Sequence, residues 1–192
     1  MLGVDPAAAG PTGYGVVESD GRDCHMLSFG TLAASTKLAI PARLCEIHRL
    51  LVQLLKQFSP DAMAVESVFA ALNMKTALVL AEVRGVVLLA AAEQNIPVHS
   101  YAPREVKASV AGYGHATKQQ MQLMVRAILG MSVTPEPSDA ADALAVALCH
   151  IYSAPGRLRL AQAIAPALVQ PVPDGTSVRG RSTGVRRPVT TR

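Results

Sequence analysis

Four carboxylates stand where short-range patterns could set them to chemistry. Asp139 and Asp142 open the run Ser138 to His150, SDAADALAVALCH, just after the break at Pro135 and Pro137. Ala and Leu dominate that run and neither Gly nor Pro interrupts it, which predicts a helix. Ser138 is the expected N-cap, so both aspartates fall in the first turn, where the helix dipole favours negative charge. Their spacing of three puts both carboxylates on one face. Leu144, Leu148 and Ile151 supply an apolar stripe that would bury the helix and turn the acidic pair into a cleft. On its own such a pair merely suits a helix start. Asp5 and Glu66 shift the balance, because each closes a short apolar run of strand character.

Ligands gather at the carboxyl ends of strands in open α/β sheets, so Asp5 and Glu66 on adjacent strands would converge there. Four carboxylates packed together repel one another unless a cation sits among them. Hard oxygen donors in this number suit Mg²⁺ or Mn²⁺, whereas softer metals would call for Cys and His. Two such ions about 4 Å apart can activate a water and stabilise the leaving oxygen of an in-line phosphoryl displacement. The chemistry indicated is metal-dependent phosphodiester hydrolysis. Plainer readings stand beside it: Asp5 before Pro6 as a turn residue, and Glu66 as the point where a strand surfaces.

The elements that must position these acids follow in order. Leu2-Gly3-Val4-Asp5 is the end of a strand, and Pro6 to Thr12 is a loop rich in turn residues. Gly13 to Glu18 is a second strand, Asp20-Gly21 a hairpin turn, and Cys24 to Leu32 a third strand, together an antiparallel meander. Pro41 opens a helix on which Leu44, Ile47, Leu51, Leu54 and Phe58 recur at spacings of three and four. Asp61 to Glu66 is nearly continuously apolar, as suits a buried central strand. A long helix from Asn73 to Asn95 and a strand from Pro97 to Tyr101 follow. Helices over Pro103–Val110 and Thr117–Leu129, split by Gly112-Tyr113-Gly114, lead to the Asp139 helix. Strands alternating with helices after a meander predict an α/β fold, one sheet covered by helices on both faces.

Composition narrows the classes. Half of the 192 residues are hydrophobic but only 4% are aromatic and none is Trp, so the core must be built from Ala, Leu and Val. Cys24, Cys45 and Cys149 are odd in number and form no CxxC pair, which argues against a disulfide framework or a zinc site and fits a reducing cytoplasm. No signal peptide precedes Asp5, and the apolar tract Ala77 to Ala92 is broken by Glu82 and Arg84, so no membrane partner is expected. From Arg157 onward there are seven Arg, no Lys and one acid, Asp174, while residues 1–156 carry a net charge of −2. The expected division is a nuclease domain over 1–154 and a Pro/Arg-rich tail over 155–192. That tail is expected to be mostly disordered from Gln170, with one short helix over Leu158 to Ala165.

Several stretches together carry a resemblance. Asp5-Pro6 with Thr12-Gly13-Tyr14-Gly15 comes first, then Ala64-Val65-Glu66-Ser67-Val68-Phe69. Val83-Arg84-Gly85-Val86 and Asp139-Ala140-Ala141-Asp142-Ala143-Leu144-Ala145 follow. In order and spacing, over residues 2 to 152, they resemble the RuvC family of bacterial Holliday-junction resolvases. The resemblance implies an RNase H-like five-stranded mixed sheet, a homodimer, and cleavage of paired strands at a four-way DNA junction with two Mg²⁺ per site, Mn²⁺ substituting. It also implies work alongside the RuvA–RuvB branch-migration complex in recombination and repair. Carried over by residue, Asp5, Glu66, Asp139 and Asp142 are the metal-binding catalytic acids. Phe69 corresponds to an aromatic that stacks on bases near the junction centre. Lys107 and Lys118 match basic positions beside the site, and Arg104 and Lys75 are further candidates for phosphate contacts, which position a duplex without reading sequence.

Two departures stand out. Ala7 replaces the family's usual Gly in a first loop that is one residue longer, so an unusual backbone angle there would cost about 1 kcal/mol or demand a rearranged turn. Leu72 stands where a basic residue is common. Competing readings are a non-catalytic junction-binding relative, an actin-like ATPase or sugar kinase, and an RNase H-like nuclease acting on RNA–DNA hybrids. All four acids being present disfavours the first, and the chain is too short for the two domains of the second. The Asp-Ala-Ala-Asp-Ala-Leu pattern disfavours the third.

Overall fold

Leu2–Asp5 (β1) occupies the centre of a five-stranded sheet. The computed structural model describes residues 1–35, 37–67 and 73–168. Thr12–Ser19 (β2) and Cys24–Leu32 (β3) continue antiparallel from β1 on one side. Met63–Glu66 (β4) and Val98–Tyr101 (β5) lie parallel on the other, in the order β3-β2-β1-β4-β5. The meander turns where expected: Gly21 has φ 93°, and Asp20 Oδ1 accepts from the amides of Arg22 and Asp23, each at 2.8 Å.

Helices cover both faces, as the alternation of elements predicts. Ile40–Phe58 (α1) and Met74–Glu93 (α2) close over Leu2, Val4, Met63 and Val65. Pro103–Ala111 (α3), Lys118–Ile128 (α4) and Ser138–Leu168 (α5) close over Val17, Ala64 and Tyr101. Both cores are built chiefly of Ala, Val and Leu. Local signals end the elements: Asn73 caps α2 by accepting from the Thr76 amide at 3.0 Å, Gly112 in the left-handed region closes α3, and Thr117 and Gln120 form a capping box on α4.

Most boundaries fall within a residue or two of those expected, but both ends of α5 differ in kind. Ser138 is the first residue of α5 rather than its cap, and the Ala140 amide bonds to the Pro137 carbonyl instead. At the other end α5 runs on to Leu168, where Pro155 and Gly156 predicted a break before a separate short helix. A proline removes one helical N–H, but the Ala- and Leu-rich residues beyond it are strong helix formers. The expected disorder from Gln170 onward lies outside the described residues.

Candidate active site

The two strand-borne acids reach the same face by parity. Val4 and Val65 pair in the parallel ladder between β1 and β4 and both point into the α1/α2 core. The next residues, Asp5 and Glu66, must therefore point the other way, toward α5. The two are hydrogen-bonded, Asp5 donating to Glu66.

Glycines bring the helix-borne acids to them. A Cβ on Gly3 would overlap the Ala143 carbonyl, one on Gly13 would overlap the Asp139 carbonyl, and one on Gly15 would lie 2.7 Å from Leu144 Cδ2. Gly13 faces Asp5 directly across β1 and β2. With Ala140, Ala143 and Ala147 fully buried on its own side, α5 lies almost on the sheet backbone. Its first turn then stands beside the end of β1.

The outcome is a cluster in which Asp5, Asp139 and Asp142 each present a carboxylate oxygen within 4.8 Å of the others. Glu66 joins through its bond to Asp5. All four acids are half-buried. Burial, then the fields of Glu66, Asp142 and Asp139, pushes Asp5 up to about 8, and burial raises Glu66 as well. A proton here does what a cation would do better. Donors that are all carboxylate oxygens, in a cluster that holds a proton near neutral pH to limit its own repulsion, fit a hard divalent ion.

Basic side chains border the acids. A cleft of ≈ 220 Å³ is lined by Glu66, Lys107, Lys118 and Asp142, with Val106 and Met121 among its apolar walls. Lys118 Nζ lies 3.0 Å from Asp142 Oδ2. Burial works against its ammonium, but that bond and the fields of Asp142, Asp139 and Asp5 raise it overall. Lys107 lies near enough to Glu66 to oppose part of its rise. Arg104 and Lys75 are exposed and do not line this cleft. Phe69 and Leu72 lie outside the described residues.

Arg43 escaped the sequence reading. It is 4% exposed and its guanidinium binds the loop after Asp5, with Nη1 to the Ala8 carbonyl at 2.7 Å and Nη2 to the carbonyls of Gly10 at 2.7 Å and Ala7 at 3.3 Å. Ala7 does not have positive φ, so the strain anticipated for a non-glycine there is absent. A basic residue in the first turn of α1, where the helix dipole disfavours it, was the available signal.

A mixed sheet in this order, with carboxylates from its central strands and a following helix meeting at one end, is an RNase H-like fold. Residues 1–150 match the family described as crossover junction endodeoxyribonuclease RuvC. The chain is 48% identical over 153 residues to the protein of that name from Syntrophomonas wolfei, covering 80% of this chain and 88% of the other. It is 46% identical over 159 residues to that from Thermomicrobium roseum, covering 82% and 96%. The structure of T. thermophilus RuvC in complex with a Holliday junction substrate superposes with a TM-score of 0.75 at 38% identity, covering 80% of this chain and 94% of that one. A yeast mitochondrial Holliday junction resolvase shares the fold, with a TM-score of 0.57 at 14% identity over 88% of this chain and 85% of that one. This chain belongs to the RuvC family of crossover junction endodeoxyribonucleases.

Proposed function

We propose that the chain resolves four-way DNA junctions by hydrolysing phosphodiester bonds in two strands, in recombination and repair. The observation that carries this is the meeting of Asp5, Glu66, Asp139 and Asp142 at one end of the sheet, in a member of this family. The four acids would hold two divalent ions per site, Mg²⁺ with Mn²⁺ able to substitute. When bound, these would supply Lewis acidity at the phosphate and a lowered pKa for the attacking water. Asp5 and Glu66, fixed by adjacent strands, orient one side of the site, and α5 brings Asp139 and Asp142 to the other. With a cation held by Asp142, Lys118 would be free to lend its charge, with that of Lys107, to the scissile phosphate. Phe69 would serve the junction by stacking on bases, and Arg104 and Lys75, outside this centre, by phosphate contacts.

Residues 1–154 carry the nuclease and 155–192 follow as a Pro/Arg-rich tail. Met74, Leu78 and Leu89 are exposed large apolar side chains on α2, and a second copy covering them would set two sites apart for paired cuts. The chain would act in the cytoplasm beside the RuvA–RuvB branch-migration complex. Among the described residues no helix is long and apolar enough to cross a membrane.

The test offers a labelled four-way junction, a linear duplex and an RNA–DNA hybrid, each with and without Mg²⁺. Mg²⁺-dependent cutting of the junction alone is expected. Preferential cutting of the hybrid would replace this reading with that of a hybrid-directed nuclease.

A further inference from the structure

Arg43 sits where local rules disfavour it. It lies in the first turn of α1, which has no acidic residue, so its charge opposes the helix dipole. It is 96% buried, and among the described residues no carboxylate pairs with it and Nε has no partner. A buried cation of this kind is costly unless its surroundings use it. What it has instead is three carbonyls of a single loop, those of Ala7, Ala8 and Gly10, in the segment that leaves Asp5.

That arrangement dictates where the loop amides face. The Ala7–Ala8 and Ala8–Ala9 peptides are trans, and in a planar trans peptide the N–H points opposite to the C=O. With the carbonyls of Ala7 and Ala8 drawn onto the guanidinium, the N–H groups of Ala8 and Ala9 point away from it. Neither donates a hydrogen bond within the described residues. Ala9 is exposed and Ala8 half-exposed. Two successive outward amides can donate together to one anion, as main-chain N–H groups of turns do elsewhere. Pro6, at the root of the loop, lines a narrow crevice with Asp5 and Glu66. An anion on the amides would thus be a close neighbour of the acids.

We infer that Arg43 is a positioning residue that holds the loop after Asp5 as a two-amide cradle for a non-bridging phosphate oxygen of the DNA strand. The inference rests on the reading of the chain as a junction nuclease. It differs from the lysine contacts because the donors are backbone groups whose direction is set from behind. Lysine at position 43 cannot reproduce it, since one ammonium lacks the planar fork that spans carbonyls on both arms.

The test measures junction affinity in EDTA for the parent, for Arg43→Lys, and for a variant in which lactic acid replaces Ala9. The last turns the Ala9 N–H into an ester oxygen and leaves the Ala8 carbonyl on Arg43 as a weaker, ester acceptor, with no other bond of the described residues touched, so the test stands even if Arg43→Lys fails to fold. Each variant should bind about tenfold more weakly, as for loss of one hydrogen bond to a charged group, and the two changes together should cost little more than either alone. Replacing strand phosphates one at a time by neutral methylphosphonate should reveal a position whose penalty is present in the parent and lost in the ester variant. A parent that does not bind the junction overturns the junction reading and this inference with it. A parent that binds, with the ester variant binding equally well or keeping every phosphate penalty, overturns this inference alone.

Discussion

The backbone carbonyl of Asp139 lies where a side chain on Gly13 would begin. Gly13 also faces Asp5 across β1 and β2, so a single missing Cβ sets how closely two of the acids approach. Gly13→Ala should lift the first turn of α5 from the sheet. Overpacking of this kind costs about 1–3 kcal/mol. Calorimetry should show a lower midpoint, and junction cleavage below that midpoint should fall further than the unfolded fraction explains. An unchanged midpoint would mean that α5 has room to relax.

Lys118 and Asp142 form an ion pair across the cleft, in the position where a cation would compete. Lys118→Ala should therefore move two quantities in opposite directions. Mn²⁺ affinity measured calorimetrically should rise by up to about fivefold, the worth of a partly exposed pair. Cleavage at saturating Mg²⁺ should drop by about 100-fold, as when one donor to a developing charge is removed. A lysine that only braced the fold would leave metal affinity unchanged or lower it.

The acid cluster should make the stability of the metal-free protein depend on pH. Unfolded, Asp5 titrates near 3.8, and folded it is pushed up to about 8. Between those values the folded chain keeps a proton that the unfolded chain has released. The stability tied to that proton is complete at the acid end and is lost as pH rises toward 8. Thermal midpoints in EDTA should fall from pH 5 to pH 9. Asp5→Asn should flatten the decline, and Mg²⁺ should raise the midpoint most at the alkaline end. An identical slope in Asp5→Asn would remove Asp5 as its source.

The exposed apolar residues of α2 should hold two copies together. Sedimentation of the parent at micromolar concentration should give a dimer, and Leu78→Glu or Leu89→Glu, at sites 58% and 53% exposed, should shift it toward monomer while the far-ultraviolet circular dichroism of the folded chain is unchanged. The second incision of a junction should then lag the first. A monomeric parent would contradict this assembly.

Much of this site is written in short-range pattern. Asp5 and Glu66 close apolar strands, and Asp139 and Asp142 share one face of a helix start, so their convergence follows from the rule that ligands collect at strand ends. Tertiary contacts decide the remainder. Gly13 reads as a strand residue, and only the seated helix shows why a side chain is excluded there. Arg43 reads as the polar face of α1, since its partners are main-chain carbonyls about 35 positions earlier and leave no side-chain pattern. Ser138 has the chemistry of a cap, yet the helix begins on it. Pro155 and Gly156 are strong local stops that α5 overrides.

The convergence of four carboxylates on divalent ions is tested most directly by strand-resolved cleavage of a labelled four-way junction as Mg²⁺ is titrated from zero. The parent is compared with Asp5→Asn, Glu66→Gln, Asp139→Asn and Asp142→Asn. The parent should cut only once Mg²⁺ is present. Each variant should lose more than about 100-fold, beyond the usual effect of disturbing a ligand's support, while still binding the junction. Cutting by the parent without any divalent ion, or by any of the four variants at near the parental rate, would contradict it.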